Sequence, residues 1–501
     1  MDSLSQLGPS MAPASAAAGE VGFESDDPAS PHANGRGSSA VLAVLSAAAF
    51  MAALDLFIVN VAFASIGEDF HGASITDLSW ILNGYAIIYA ALLIPLGRLA
   101  DRYGRKTGFM LGLAVFTLSS LGCALSPSLW PLVGFRVLQA AGAAALTPTS
   151  LGLLINAFPP QGRSRAVRIW AAVSALAAAA GPVVGGVLVQ HSWRLVFLVN
   201  IPIGVVALVI TKRIVPDSRD HTVTRLPDLV GSFVLAVSIG ALALGLVKGP
   251  AWGWAAPATV GAFVVAAVGT AWFWWRSLHH QAPVVEPALL AVRSFAWSNA
   301  TIVAFSVAFA GNLLLAILWM QEVWHFTPMQ TGFGVAPGPL MVPAFAILGG
   351  KFAKSVGVGL VTAAGCVLFA AGIALVQAFI GQAPHYFTEL LPGQIVGGIG
   401  VGLALPTILS SATSGLPPVR AATGSAVINM SRQIGSVIGV SVLVALLGVT
   451  VSYSATYEAF AHARYACIAA ALVAALLALG MTQKKESVEE LSGVVVADLA
   501  T

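Results

Sequence analysis

The sequence predicts an all-α polytopic membrane protein of 14 transmembrane helices with both termini cytoplasmic. Three observations carry this reading. Charged residues make up 9% of the chain and hydrophobic residues 57%, against about 25% charged in an ordinary soluble domain. Mean hydropathy is +0.87, and so few charges cannot clothe the surface of a 501-residue soluble protein. Fourteen apolar runs approach the ~20 residues that cross a hydrocarbon core. Lys and Arg collect in alternate connections between those runs, as the positive-inside rule requires.

Taken in order, residues 1–39 are rich in Ser, Pro, Ala and Gly and carry Glu20, Glu24, Asp26 and Asp27. They lack a basic stretch followed by an apolar core, so they read as a disordered cytoplasmic tail and not a cleavable signal. Runs follow near 41–63, 78–97, 107–125, 130–156, 166–189 and 194–214, forming an N-terminal six-helix bundle over 40–215. Two inserted helices occupy 226–276, near 228–247 and 258–275, with Trp252 and Trp254 as interfacial anchors in their connection. The C-terminal six-helix bundle spans 295–481, with runs near 296–319, 331–350, 356–379, 388–411, 423–448 and 461–481. A polar cytoplasmic tail over 482–501 closes the chain.

Charge placement tests the count. With the N-terminus inside, 19 of the 24 Lys and Arg fall in cytoplasmic segments. Arg194, Lys248 and Arg464 fall outside, and Arg136 and Arg432 fall within runs. A missed or additional helix would invert this alternation downstream of the error.

The two ends of the chain repeat one another. Pro148-Thr149 followed by Pro159-Pro160 recurs 258 residues later as Pro406-Thr407 followed by Pro417-Pro418. At the same offset Gly142 matches Gly400 and Gly181 matches Gly439. The first and last six runs therefore read as two copies of one unit in the same orientation, an arrangement of transporters whose substrate path lies between the halves.

Charges inside apolar runs carry the chemistry. Asp55 is the one acidic residue placed well inside the hydrocarbon. Burial disfavours its anion, so it is expected to take up and release a proton, and an intramembrane carboxylate is a functional site by default. The alternative is a hydrogen bond that ties helices. Arg136 and Gln139 stand at i, i+3 and share a helix face; Arg136 is expected to face a polar cavity or an acid, or else only to tie helices. In the connection after the second run, Gly97 and Gly104 permit close approach and a tight turn, and Asp101 can pair with an Arg or a neighbouring helix N-terminus.

Four motifs carry a resemblance. Gly97-Arg98-Leu99-Ala100-Asp101-Arg102-Tyr103-Gly104-Arg105-Lys106 resembles the cytoplasmic loop signature of the major facilitator superfamily. Arg136-Val137-Leu138-Gln139 with Gly142 resembles its fourth-helix motif, with Ala140 where a Gly is usual. Gly181-Pro182-Val183-Val184-Gly185-Gly186, followed by Trp193, Arg194, Asn200 and Pro202, resembles the motif of its drug:proton antiporters, with Ala177 at the usual first Gly. Leu54-Asp55 through Ala62 is similar to the first-helix motif of the fourteen-span branch. Across 41–481 the resemblance implies a major facilitator fold of two six-helix bundles plus two inserted central helices. It also implies proton coupling at Asp55 and Arg136, on the first and fourth runs, both of which border a central cavity. A gating loop of Gly97, Asp101, Arg102, Gly104 and Arg105 is implied, with a helix-contact motif of Gly181, Pro182, Gly185 and Gly186. The expected cavity residues are Asn60, Tyr85, Gln139, Asn312, Gln321 and Arg432, and aromatic pairs Tyr85 with Tyr89 and Phe305 with Phe309 either line a pocket or pack.

The leading expectation is export of amphipathic drugs or secondary metabolites in exchange for protons, without a cofactor, metal or ATP site, from a bacterial plasma membrane. The expected partners are a small-molecule substrate, protons and the bilayer, with no nucleic acid, and the protein is expected to act as a monomer. Cys123, Cys366 and Cys467 each stand alone in apolar runs and read as packing residues. Two alternatives stay open: uptake or exchange of a specific solute on the same fold, and a non-transporting receptor or intramembrane enzyme.

Overall fold

The computed structural model describes residues 35–71, 73–219, 225–448 and 453–481, so the tail readings at 1–34 and 482–501 lie outside the described residues. Fourteen helices among them are long and apolar enough to cross a membrane. They are α1 (Ser38–Asp69), α2 (Ile75–Tyr103), α3 (Arg105–Ala124), α4 (Leu129–Ala157), α5 (Pro160–Val189), α6 (Leu195–Ile214) and α7 (Leu229–Trp252). The chain continues through α8 (Pro257–His279), α9 (Arg293–Val323), α10 (Pro328–Val356), α11 (Val358–Phe379), α12 (Leu391–Ser414), α13 (Arg420–Leu447) and α14 (Tyr457–Met481). Residues 35–39, read as tail, belong to the first helix, which runs Gly35–Asp69. Hydropathy marks the apolar stretch, whereas a helix continues past it wherever nothing breaks its backbone bonds.

Local chemistry sets the helix ends. Ser74 and Asp228 cap α2 and α7 by accepting from the backbone N–H groups of Asp77 and Gly231. Thr327 and Gln330 form a capping box at the start of α10. Pro160 and Pro257 stand in the first turns of α5 and α8, where a missing N–H is harmless. α2 and α10 both end on a glycine in the left-handed region, Gly104 at φ 128° and Gly357 at φ 95°, a conformation L side chains rarely adopt.

Packing follows the repeat. α1 packs on α5 and α3 on α4, and α9 on α13 and α11 on α12 in the same way. α2–α4 and α3–α6 contacts are matched by α10–α12 and α11–α14. A Cβ on Gly142 would strike the backbone of Phe116, and one on Gly400 the backbone of Phe369, so corresponding glycines perform the same close approach. The halves meet along two seams, α2 with α13 and α5 with α10. The inserted α7 packs on α8 and lies against both α2 and α13.

Candidate functional site

Asp55 lies midway along α1 with none of its side chain exposed, and its partners come from two other helices, α4 and α6. Arg136 of α4 donates from Nη1 to Asp55 Oδ2 at 2.5 Å. Gln139 donates from Nε2 to Oδ1 at 2.8 Å, and Asn200 of α6 donates from Nδ2 to the same oxygen at 3.0 Å. Ser120 of α3 accepts from Gln139 at 2.8 Å. The i, i+3 spacing that puts Arg136 and Gln139 on one face also lets Arg136 Nη1 donate to Gln139 Oε1 at 2.6 Å. The guanidinium sits over the Tyr85 ring, 4.1 Å from its centroid, a favourable cation–π position.

This is a desolvated ion pair in which removing either charge leaves the other stranded. A proton added to the carboxylate has the same local effect, because it leaves Arg136 without a counter-charge. Asn200 and Ser120 were not assigned to this site from sequence. Asn200 stood out only as part of a motif, and Ser120 is one of several hydroxyl residues in its run.

A cavity of about 1300 Å³ lies between the halves. Of the expected lining residues, Asn60, Tyr85, Asn312 and Arg432 border it. Gln139 does not, because its amide is spent behind the wall on Asp55 and Ser120. Nor does Gln321, whose Nε2 crosses between the halves to the Val61 carbonyl at 3.1 Å. Arg464, read as outside the membrane, stands inside α14, 2% exposed, and borders the cavity. It lies near the polar start of the run that marked this helix, and α14 itself begins earlier, at Tyr457. Tyr85 with Tyr89 and Phe305 with Phe309 stack at centroid distances of 6.1 and 6.2 Å, and all four line the cavity. Glu389 is engaged elsewhere, accepting from Gly381 N at 2.8 Å and pairing with His385 at 3.1 Å.

One end of the cavity reaches the α2–α3 connection, where Gly97, Arg98, Asp101 and Arg105 border it. Arg105 donates from Nε to Asp101 Oδ1 at 2.5 Å, and its backbone N–H donates to Ser218 O at 2.9 Å. Gly97 lies against Pro148 of α4, where a Cβ would be 3.1 Å from the ring. Arg102 stands beside the Tyr103 ring at 5.4 Å. Arg98 ties this end of α2 to the segment preceding α9 by pairing with Glu286 at 2.6 Å.

At the opposite end the halves touch. A Cβ on Gly181 would lie 2.6 Å from Phe57 Cβ, and one on Gly185 3.0 Å from Ile58 O, so these two glycines serve the α1–α5 contact. Gly186 faces α10, where a Cβ would be 2.5 Å from Pro328 O, and the Pro182 carbonyl meets Gly332. Pro182 removes one helical hydrogen bond within α5.

Asp101→Ala is expected to cut transport roughly tenfold, the cost of one charge-assisted hydrogen bond, with near-normal membrane insertion. Dye efflux at matched protein levels checks this; full activity would deny the loop a gating role.

Comparison with known proteins places these features in context. A family model described as Major Facilitator Superfamily matches residues 45–440. The chain is 34% identical over 405 residues to "Multidrug resistance protein Stp" of Mycobacterium tuberculosis, covering 80% of this chain and 74% of that protein. It is 31% identical over 408 residues to "Methylenomycin A resistance protein" of Streptomyces coelicolor, covering 81% and 85%. Against "Tetracenomycin C resistance and export protein" of Streptomyces glaucescens the identity is 32% over 410 residues, covering 81% and 75%. Among solved structures, a peptide transporter POT in complex with sulfate superposes with TM-score 0.65 at 15% identity, covering 88% of this chain and 95% of that one.

Proposed function

The chain belongs to the Major Facilitator Superfamily, a multi-pass membrane transporter and not an enzyme, and from that premise we propose that it exports amphipathic drugs or secondary metabolites in exchange for protons. Relatives named for multidrug resistance, antibiotic resistance and export support the direction. The observation that carries the coupling is the fully buried Asp55–Arg136 pair, whose arginine also borders the cavity.

In this reading Asp55 is the proton carrier and Arg136 tunes it. Ionised, Asp55 holds Arg136 against α1 and closes the wall at Tyr85. A proton on the carboxylate removes the charge attraction and frees the guanidinium, so the α1–α4 contact rearranges. The halves, residues 40–215 and 295–481, rock about the α2–α13 and α5–α10 seams. The concentration of Lys and Arg around the α2–α3 connection makes that end cytoplasmic, so the cavity described here faces inward, in a bacterial plasma membrane. The gating loop and the α5 glycines then act at opposite ends of one path.

Reconstitution of the full chain in proteoliposomes tests this. A fluorescent amphipathic dye is expected to move uphill only while a proton gradient is imposed, and an ionophore should collapse the movement. Uphill transport that persists without the gradient would remove proton coupling. Accumulation in the same direction as proton flow would favour the uptake reading.

A further inference from the structure

The cavity wall has an imbalance of charge that proton coupling leaves unused. Five arginines border the cavity, Arg98, Arg105, Arg136, Arg432 and Arg464, against one carboxylate, Asp101. Three arginines have counter-charges: Arg98 with Glu286, Arg105 with Asp101 and Arg136 with Asp55. Arg432 and Arg464 have none among the described residues. Arg464 donates to the neutral Gln377 Oε1 at 3.0 Å and lies over the Trp319 ring at 4.5 Å. Arg432 has a buried Nε without any hydrogen-bond partner, and the neighbouring Gln433 Nε2 is likewise buried and unpartnered.

Arg464 is 2% exposed and Arg432 half-buried in the cavity wall, and a guanidinium drawn partly out of bulk water without an anion favours whatever supplies the negative charge. Recognition sites place a few polar groups within apolar walls to fix what binds. Here the apolar walls are aliphatic, with the aromatic rings of Tyr89, Phe305, Phe309 and Trp319 set among them.

We infer that the cavity selects organic anions, an acidic group such as a carboxylate or phenolate on a planar apolar body, with Arg432 as the principal anion-binding residue and Arg464 reinforcing the field. This rests on the export reading only for the identity of the cavity as the substrate site, and it names the substrate class for that site. Cationic dyes are then the poorer substrates.

Equilibrium binding to the purified full-length protein in lipid nanodiscs tests the inference without any gradient. Three probes share one ring system and differ in charge at neutral pH: anthracene-9-carboxylate, 9-(hydroxymethyl)anthracene and 9-(aminomethyl)anthracene. Quenching of tryptophan emission reports binding, since Trp170 and Trp319 line the cavity. The carboxylate is expected to bind at least about tenfold tighter than the alcohol, with the amine weakest. Arg432→Gln should erase most of that preference, the loss falling chiefly on the carboxylate and less on the alcohol, and Arg432→Lys should retain most of it. Arg464→Gln, a second variant, should weaken the carboxylate severalfold.

Equal or tighter binding of the amine or alcohol by the wild type overturns the proposal. So does a wild type that does not bind the carboxylate. An Arg432→Gln variant that loses all three probes equally would make Arg432 a structural tie. A protein that prefers the anion yet shows no proton-driven efflux would sink the coupling and leave this inference standing. Efflux of dyes without any anion preference would do the reverse.

Discussion

Asp55→Asn is expected to abolish uphill, proton-driven efflux while sparing downhill movement of substrate. The substitution keeps the shape and the acceptor to Arg136 but removes the group that exchanges a proton. It also leaves the Arg136 guanidinium, wholly buried, without its counter-charge, and a stranded charge of that kind costs about 3–5 kcal/mol. A fall in stability is therefore expected with the single variant, so loss of transport alone would not decide the matter. Asp55→Asn combined with Arg136→Gln removes both charges, and it should recover thermal stability without recovering coupling. Substrate-induced proton movement in proteoliposomes, read with a pH-sensitive dye, makes the measurement. Wild-type proton exchange in either variant would reduce Asp55 to a structural hydrogen bonder and move the search for the carrier to Glu322, in the last turn of α9, or Glu389, just before α12.

Gly186→Val is expected to lower efflux at least tenfold and to make the vesicles leaky. Even the first added carbon would sit 2.5 Å from the Pro328 carbonyl oxygen on α10, a distance no Cβ tolerates. Backbone has no rotamer to give, so the two helices must separate, and with them the end of the cavity that is shut in this structure. Overpacking of this kind costs about 1–3 kcal/mol, and nearly all of it falls on the closed state. Gly134→Ala is the control, since a Cβ there meets nothing within 4 Å. Passive dye leak from loaded proteoliposomes separates the outcomes: a tight Gly186→Val protein with normal efflux would rule out the α5–α10 contact as a seal.

The parts of this molecule that sequence makes legible are those with rare chemistry. A carboxylate and an arginine inside apolar runs stand out because lipid punishes them, and Asp55 and Arg136 do lie against each other. The paired prolines expose the repeat because they sit at helix starts and kinks, where few other residues serve. Uncharged polar residues carry no such signal. Gln321 resembles a cavity residue and instead satisfies a carbonyl on α1, while Asn200 reaches the carboxylate from a helix 145 residues away in the chain. Arg464 was misplaced for a different reason. The run near 461–481 already contains it, but Arg464 sits close to the run's polar start, beside Glu458 and His462, and so reads with the outer connection although the helix begins earlier. Which atoms a side chain reaches depends on helix rotation, and periodicity in an all-apolar run does not fix it.

The inserted hairpin gives the molecule two unlike flanks. α7 fills the groove where α2 meets α13 and touches both, and α8 packs outside it. α2 is accordingly 72% buried over its apolar stretch, whereas α5 and α10, which form the other seam, are each 33% buried. This molecule therefore presents the hydrocarbon with one doubled wall and one bare one. A solute partitioned into the lipid meets only a single helix thickness at the bare flank, and the lateral pressure of the membrane bears on that seam without an intervening helix.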